Sequence, residues 1–113
     1  MSKRSPQLLI EDILDASGKI KTYLTGYTFE TFSTDSKTID AVIRNFEIIG
    51  EAANRIPQDF KEQYEHIEWY KIIGFRNRII HDYMGVDLSI VWHISENFLP
   101  KLHADLSAII DTL

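Results

Sequence analysis

At 113 residues, with a formal net charge of −5, no cysteine and 44% apolar residues, the chain has the size of one domain and enough apolar material for a core. The lack of cysteine excludes disulfides, Cys-ligated zinc and thiol catalysis, and it suits a reducing compartment, with the cytoplasm as the default. The acidic balance excludes a protein that coats nucleic acid through a broadly basic surface, so any RNA must be met in a local basic pocket or through a partner.

A chain this short buries only about two-thirds of its unfolded surface, which leaves apolar surface available for dimerisation. The opening Met1-Ser2-Lys3-Arg4-Ser5-Pro6 has the charges of a signal peptide, but Glu11, Asp12 and Asp15 break the stretch behind it. No segment approaches a membrane span. One domain over residues 1–113 is expected.

Ser5-Pro6 is a helix start, a capping hydroxyl followed by a proline whose missing N–H costs nothing there. Leu9, Ile10, Ile13, Leu14, Ile20 and Leu24 recur at helical spacing and Gly26 offers a left-handed stop, which predicts a helix over 6–25. The Thr- and Ser-rich stretch 28–36 reads as a loop or single turn, with Phe29 and Phe32 turned inward as anchors.

A second long helix begins near Asp35. It places Ile39, Val42, Ile43, Phe46, Ile49 and Ala53 on one face and Arg44, Glu47, Glu51 and Arg55 on a flank, and Pro57 closes it. A short helix is expected over 58–65 and a third long one over 68–83, ending at Gly85. Asp87 is the N-cap of a last helix through Val91, Trp92, Phe98, Leu102 and Ile109, which Pro100 should kink rather than end.

The third long helix breaks its own pattern. At about 100° per residue, Trp69, Ile72, Ile73, Phe75, Ile79 and Ile80 spread over one arc, and Arg76 falls near its centre. Tyr83, seven residues on, shares Arg76's line. Asn77 and His81 form a second line beside it, and Lys71, Arg78 and Asp82 take the solvated face. Arg76 and His81 do not point the same way on an ideal helix, so the arginine's reach or a second copy of the helix must bring them together.

Each residue taken singly has an ordinary structural explanation. Arg76 can snorkel along an apolar wall or pair with a buried acid, His81 can face a helix C-terminus, Asn77 can be a surface amide and Tyr83 an interface ring. Arg78 with Asp82 reads as a surface pair, and both tryptophans read as core. His66, His93 and His103 lack the spacing of a metal site, so no metal is expected.

Taken together, the motif residues are the parts for cleaving RNA without a metal. An imidazole can take the ribose 2′-OH proton or protonate the leaving 5′-oxygen, and a guanidinium fork can stabilise the pentacoordinate phosphorus. Two histidines serve better than one, and a symmetric dimer with paired copies of this helix would supply both.

Arg76-x4-His81-x-Tyr83 resembles the R-x4-6-H signature of HEPN domains, in the R-x4-H-x-Y form of the HepT-like toxins of HepT/MntA (type VII) toxin–antitoxin pairs. The likeness extends to Arg44-Asn45-Phe46-Glu47-Ile48-Ile49-Gly50-Glu51-Ala52-Ala53, to Trp69 leading into Ile73-Gly74-Phe75-Arg76-Asn77, and to Val91-Trp92, so it covers nearly the whole chain.

The resemblance implies an all-α, up-and-down bundle of four to five helices, dimerising through the motif-bearing helices into a composite RNase cleft without metal or other cofactor. Carried residue by residue, it gives Arg76 and His81 the catalytic places, Asn77 a supporting place and Tyr83 the tyrosine that an MntA-like nucleotidyltransferase antitoxin modifies with AMP. The RNA could be tRNA or mRNA. Two further readings are a non-catalytic adaptor that presents a substrate to a nucleotidyltransferase, which loss of the arginine or histidine would have favoured, and a plain structural dimer module, which does not explain an arginine in an apolar arc.

Overall fold

Ser5 opens the first helix by accepting a hydrogen bond from the Leu8 N–H at 3.2 Å, with Pro6 in the first turn. The computed structural model describes residues 4–81 and 85–113, with residues 80 and 81 described by their backbone alone. In it α1 spans Pro6–Leu24 and stops at Gly26, whose φ of 83° is the left-handed conformation expected of a helix-ending glycine.

The Thr-rich stretch forms a single short helix, α2 (Phe29–Ser33), closed by a capping box between Thr28 and Thr31. Phe32 is fully buried and Phe29 half-buried, and both rings pack on Trp92, at centroid distances of 5.6 and 6.4 Å. Asp35 then caps α3 (Ser36–Arg55) and also accepts from Thr38 Oγ1 at 2.9 Å and from the Tyr27 hydroxyl. Those hydrogen bonds, Tyr27's foremost, hold the Asp35 carboxyl below the usual range.

Short α4 (Gln58–Gln63) leads to α5 (Trp69–His81), and α6 (Leu88–His93) starts on an Asp87 cap. Pro100 does not end the last helix. Its ring and missing N–H cannot be fitted into a regular α-helical turn, and the chain makes a five-residue π-helical segment, Ile94–Phe98, just before it. There the Leu99 N–H donates to Ile94 O, five residues back, and α7 (Leu99–Ile110) continues beyond.

The four long units, α1, α3, α5 and the composite α6–π–α7, form an all-α bundle. α3 lies between α1 and α5, and α1 also meets α7. The core is mainly aliphatic, with Leu9, Ile10, Ile13, Ile49, Ile79, Val91 and Leu106 almost wholly sealed. Each such side chain contributes roughly 1.5–3 kcal/mol by leaving water.

Two buried polar side chains are satisfied. Asn45 donates to Ala41 O at 2.9 Å, and Ser17 donates to Leu14 O at 3.0 Å while meeting His103 Nδ1 at 2.7 Å, a tie between α1 and α7. On the flank of α3, the ion pair formed is Arg44–Glu47 at 3.9 Å rather than a Glu51–Arg55 pair. Among the described residues no helix is long and apolar enough to cross a membrane.

Candidate active site

α5 is anchored at its start by Trp69, whose indole N–H donates to Tyr64 O at 3.1 Å, and it is pinned to the core by Ile72 and Ile79. The T-shaped pair of Phe75 and Phe46, with centroids 5.0 Å apart, fixes its rotation against α3. With these apolar anchors set, Arg76 has to face α3.

It can do so because Gly50 lies opposite. A Cβ built on Gly50 would overlap Arg76 Cβ and stand 2.6 Å from Cγ and 3.3 Å from Ile72 O. The bare backbone of α3 is therefore the bed of the arginine's stem, and the side chain is half-buried. The guanidinium Nη1 donates to Asn77 Oδ1 at 3.1 Å, so the structure brings these two predicted residues together. An amide accepting one guanidinium N–H leaves the charge intact and the remaining N–H groups available to an oxyanion.

His81 closes α5, its side chain outside the described residues, and Asp82 and Tyr83 lie outside them altogether. The exposed crest of α5 carries Tyr70, which is 71% exposed, beside half-buried Ile73 and exposed Asn77. By helical register His81 continues this flank.

Within Trp69–His81 the charged residues are Lys71, Arg76 and Arg78, with no carboxylate, a local excess of positive charge in an acidic chain. Lys71 pairs with Glu68 at 2.7 Å, and that hydrogen bond raises the lysine's pKa and lowers the glutamate's.

Two cavities of similar size flank the bundle. One, of about 480 Å³, lies between α1 and the start of α7, with Lys21, Glu96 and His103 in its walls. The other, a groove of about 470 Å³, runs along the flank of α5 beside the crest, between α5 and the α6–π–α7 helix, over Phe46, Phe75, Ile94 and Phe98. The second is the one that shares a helix with the motif.

The role of Gly50 and the groove are the features that sequence reasoning missed. A glycine set among Phe46, Ile49 and Ala53 on the apolar face of a long helix was the available signal of a close approach.

Residues 13–109 match the family model described as HepT-like, Ribonuclease HepT-like. The chain is 41% identical over 100 residues to the "Probable ribonuclease HepT" of Thermococcus cleftensis, covering 88% of this chain and 91% of that one. It is 34% identical over 113 residues to the "Putative RNase MJ0125" of Methanocaldococcus jannaschii, covering 100% and 97%. It is 32% identical over 107 residues to the "Putative RNase TTE0752" of Caldanaerobacter subterraneus subsp. tengcongensis, covering 95% and 96%. No solved structure matches. With a family model spanning most of its length and relatives covered almost end to end, the chain belongs to the HepT-like ribonuclease family.

Proposed function

We propose that this protein is a metal-independent ribonuclease, the toxin of a HEPN/MNT-type toxin–antitoxin pair acting in the cytoplasm, with Arg76 and His81 as its catalytic residues. The observation that carries the reading is the seating of Arg76. A core-facing position is occupied by an arginine, its stem bedded on Gly50 and its guanidinium led out to the exposed side of α5, where Asn77 accepts from it. A residue serving only the packing would be an aliphatic side chain there, with no long charged head to lead out to solvent.

Two copies pairing across the α5 crest would place the Arg76 and His81 of each protomer around one cleft. The 2′-oxygen then attacks phosphorus as one imidazole takes its proton, the P–O5′ bond breaks, and the second imidazole protonates the leaving oxygen. The products are a 2′,3′-cyclic phosphate and a 5′-hydroxyl. Arg76 stabilises the extra negative charge on the phosphoryl oxygens. Asn77 is a positioning residue that fixes the guanidinium's plane.

On the helical spacing read from the sequence, Tyr83 would share Arg76's line, and AMP added there by an MntA-like nucleotidyltransferase would then set a phosphate against Arg76 and repel the RNA backbone. A Tyr83→Phe chain should therefore escape ATP-dependent neutralisation by its antitoxin.

The test is cleavage of mixed tRNA and mRNA in EDTA by the unmodified chain, beside Arg76→Ala and His81→Ala. Cleavage by the parent that both substitutions abolish is expected. No cleavage, from a preparation whose mass shows no AMP on Tyr83, would overturn the nuclease reading in favour of a non-catalytic adaptor for a nucleotidyltransferase.

A further inference from the structure

The groove between α5 and the α6–π–α7 helix combines three features. Its floor is apolar and aromatic, with Phe75, Ile94 and Phe98. Its described charged or titratable lining residues are Lys71, Arg78 and His93, with no carboxylate among them, although the chain as a whole carries a net charge of −5. Glu68, which orients Lys71, and Asp87, whose carboxyl feels Arg78, both lie outside the lining. By contrast, the cavity between α1 and α7 has Glu96 in its wall beside Lys21 and His103.

The third feature is Gly74. It stands in the middle of α5 in the groove wall, exposed, and a Cβ there would meet nothing within 4 Å. A glycine inside a helix costs stability relative to alanine, and no contact among the described residues accounts for it, unlike Gly50, which makes room for Arg76. The vacancy lets a flat group approach the helix backbone.

Resting on the ribonuclease reading above, we propose that this groove holds a nucleotide of the single-stranded RNA substrate neighbouring the one cleaved. Its base lies over Gly74 against Phe75 and Phe98, and its phosphate sits on Arg78 and Lys71. The chemistry of the walls matches the occupant: aromatic and aliphatic surface for a base face, cations for the phosphate. A volume of about 470 Å³ lies in the ordinary range of small-molecule pockets. On the helix, Gly74 and Arg78 of the groove lie next to Tyr70 and Asn77 of the crest, so a strand held in a cleft at the crest passes from Arg76 by way of Asn77 into the groove.

His93 adds a donor. Its Nδ1 accepts from Asn97 Nδ2 at 3.1 Å, which leaves the proton of the neutral ring on Nε2.

The test uses the full, unmodified chain and a fluorescein-labelled 2′-O-methyl RNA oligonucleotide, which lacks the attacking 2′-hydroxyl. Gly74→Leu builds into the groove from a position where a Cβ meets nothing within 4 Å among the described residues, so its thermal midpoint should equal or exceed the parent's while RNA binding weakens by roughly tenfold. Arg78→Ala should lower the salt dependence of binding by about one phosphate contact. In a series of RNAs with single abasic sites, one position should weaken the parent by a similar factor and leave Gly74→Leu unaffected.

Binding by Gly74→Leu as tight as the parent's would overturn the proposal. So would a change in sedimentation on that substitution, since the groove would then hold a second copy of the chain. If Arg76-dependent cleavage persists while Gly74→Leu binds normally, this inference alone fails. If the parent neither binds nor cleaves RNA, the ribonuclease reading fails with it.

Discussion

α1 and α5 pack on the same helix, α3, and use their inward faces differently. α1 presents Leu9, Ile10, Ile13 and Ile20, all nearly sealed from water, and its one buried polar group, Ser17, is tied off against His103. α5 also contributes sealed residues, Ile72 and Ile79, but between them on the same face it carries Arg76, and the neighbouring helix gives up a side chain at Gly50 to seat it. The inward face of the first helix is packing throughout. The second departs from the packing pattern at Arg76, and on the function proposed above that departure marks the site.

Substitutions should separate the two helices, first by their effect on stability. Ile13→Ala removes a wholly buried side chain from the α1 face and should destabilise by about 2–5 kcal/mol in urea unfolding, while the cleavage rate per folded molecule stays at the parental value. Gly50→Ala places a methyl where Arg76 Cβ already is, so α5 must move off α3. A cost of about 1–3 kcal/mol is expected, together with a cleavage loss that persists in the fully folded fraction. Retained cleavage would separate Gly50 from the site.

Gly18→Ala, in the middle of α1 where a Cβ meets nothing within 4 Å, should stabilise by roughly 0.5–1 kcal/mol through helix propensity and leave cleavage untouched. The smallest effect belongs to the α3 cap. Because Tyr27 and Thr38 hold the Asp35 carboxyl below its ordinary value of 3.8, its contribution is complete above that value and is lost as pH falls through the lowered folded one. The thermal midpoint of Asp35→Asn, which has no carboxylate to protonate there, should therefore fall less steeply than the parent's over the same acid range.

Much of the bundle was legible because its signals are local. Ser5-Pro6, Asp35 and Asp87 mark helix starts through their own side chains, Gly26 marks a stop through its φ, and the apolar spacing of α1 and α3 needs no knowledge of partners. The stretch 28–36 was readable as a loop or single turn with inward phenylalanines, but its pairing with Trp92 is a contact between distant segments that spacing does not encode. Pro100 announced a disturbance. That the chain would answer with a π-helical segment depends on how the last helix must continue to reach α1.

The same boundary runs through the candidate site. The anomaly of Arg76 on an apolar arc is a property of one helix and could be read from it. The bed at Gly50 and the hydrogen bond to Asn77 depend on how α5 is rotated against α3, which Phe46 and Phe75 set across two elements. The groove is a property of three helices at once, and only its positive rim could have been guessed, from a helix carrying Lys71, Arg76 and Arg78 with no acid.

The most direct test of whether Arg76 serves chemistry or packing is Arg76→Met, because methionine keeps an apolar stem over Gly50 and removes the charge. Stability by urea unfolding should change by less than about 1.5 kcal/mol, as for a substitution that keeps volume, while RNA cleavage in EDTA falls by about 10²–10³-fold, the loss expected when a group stabilising the transition-state oxyanion is removed. A variant that still cleaves within a few-fold of the parent would contradict the account and return Arg76 to the packing of the bundle.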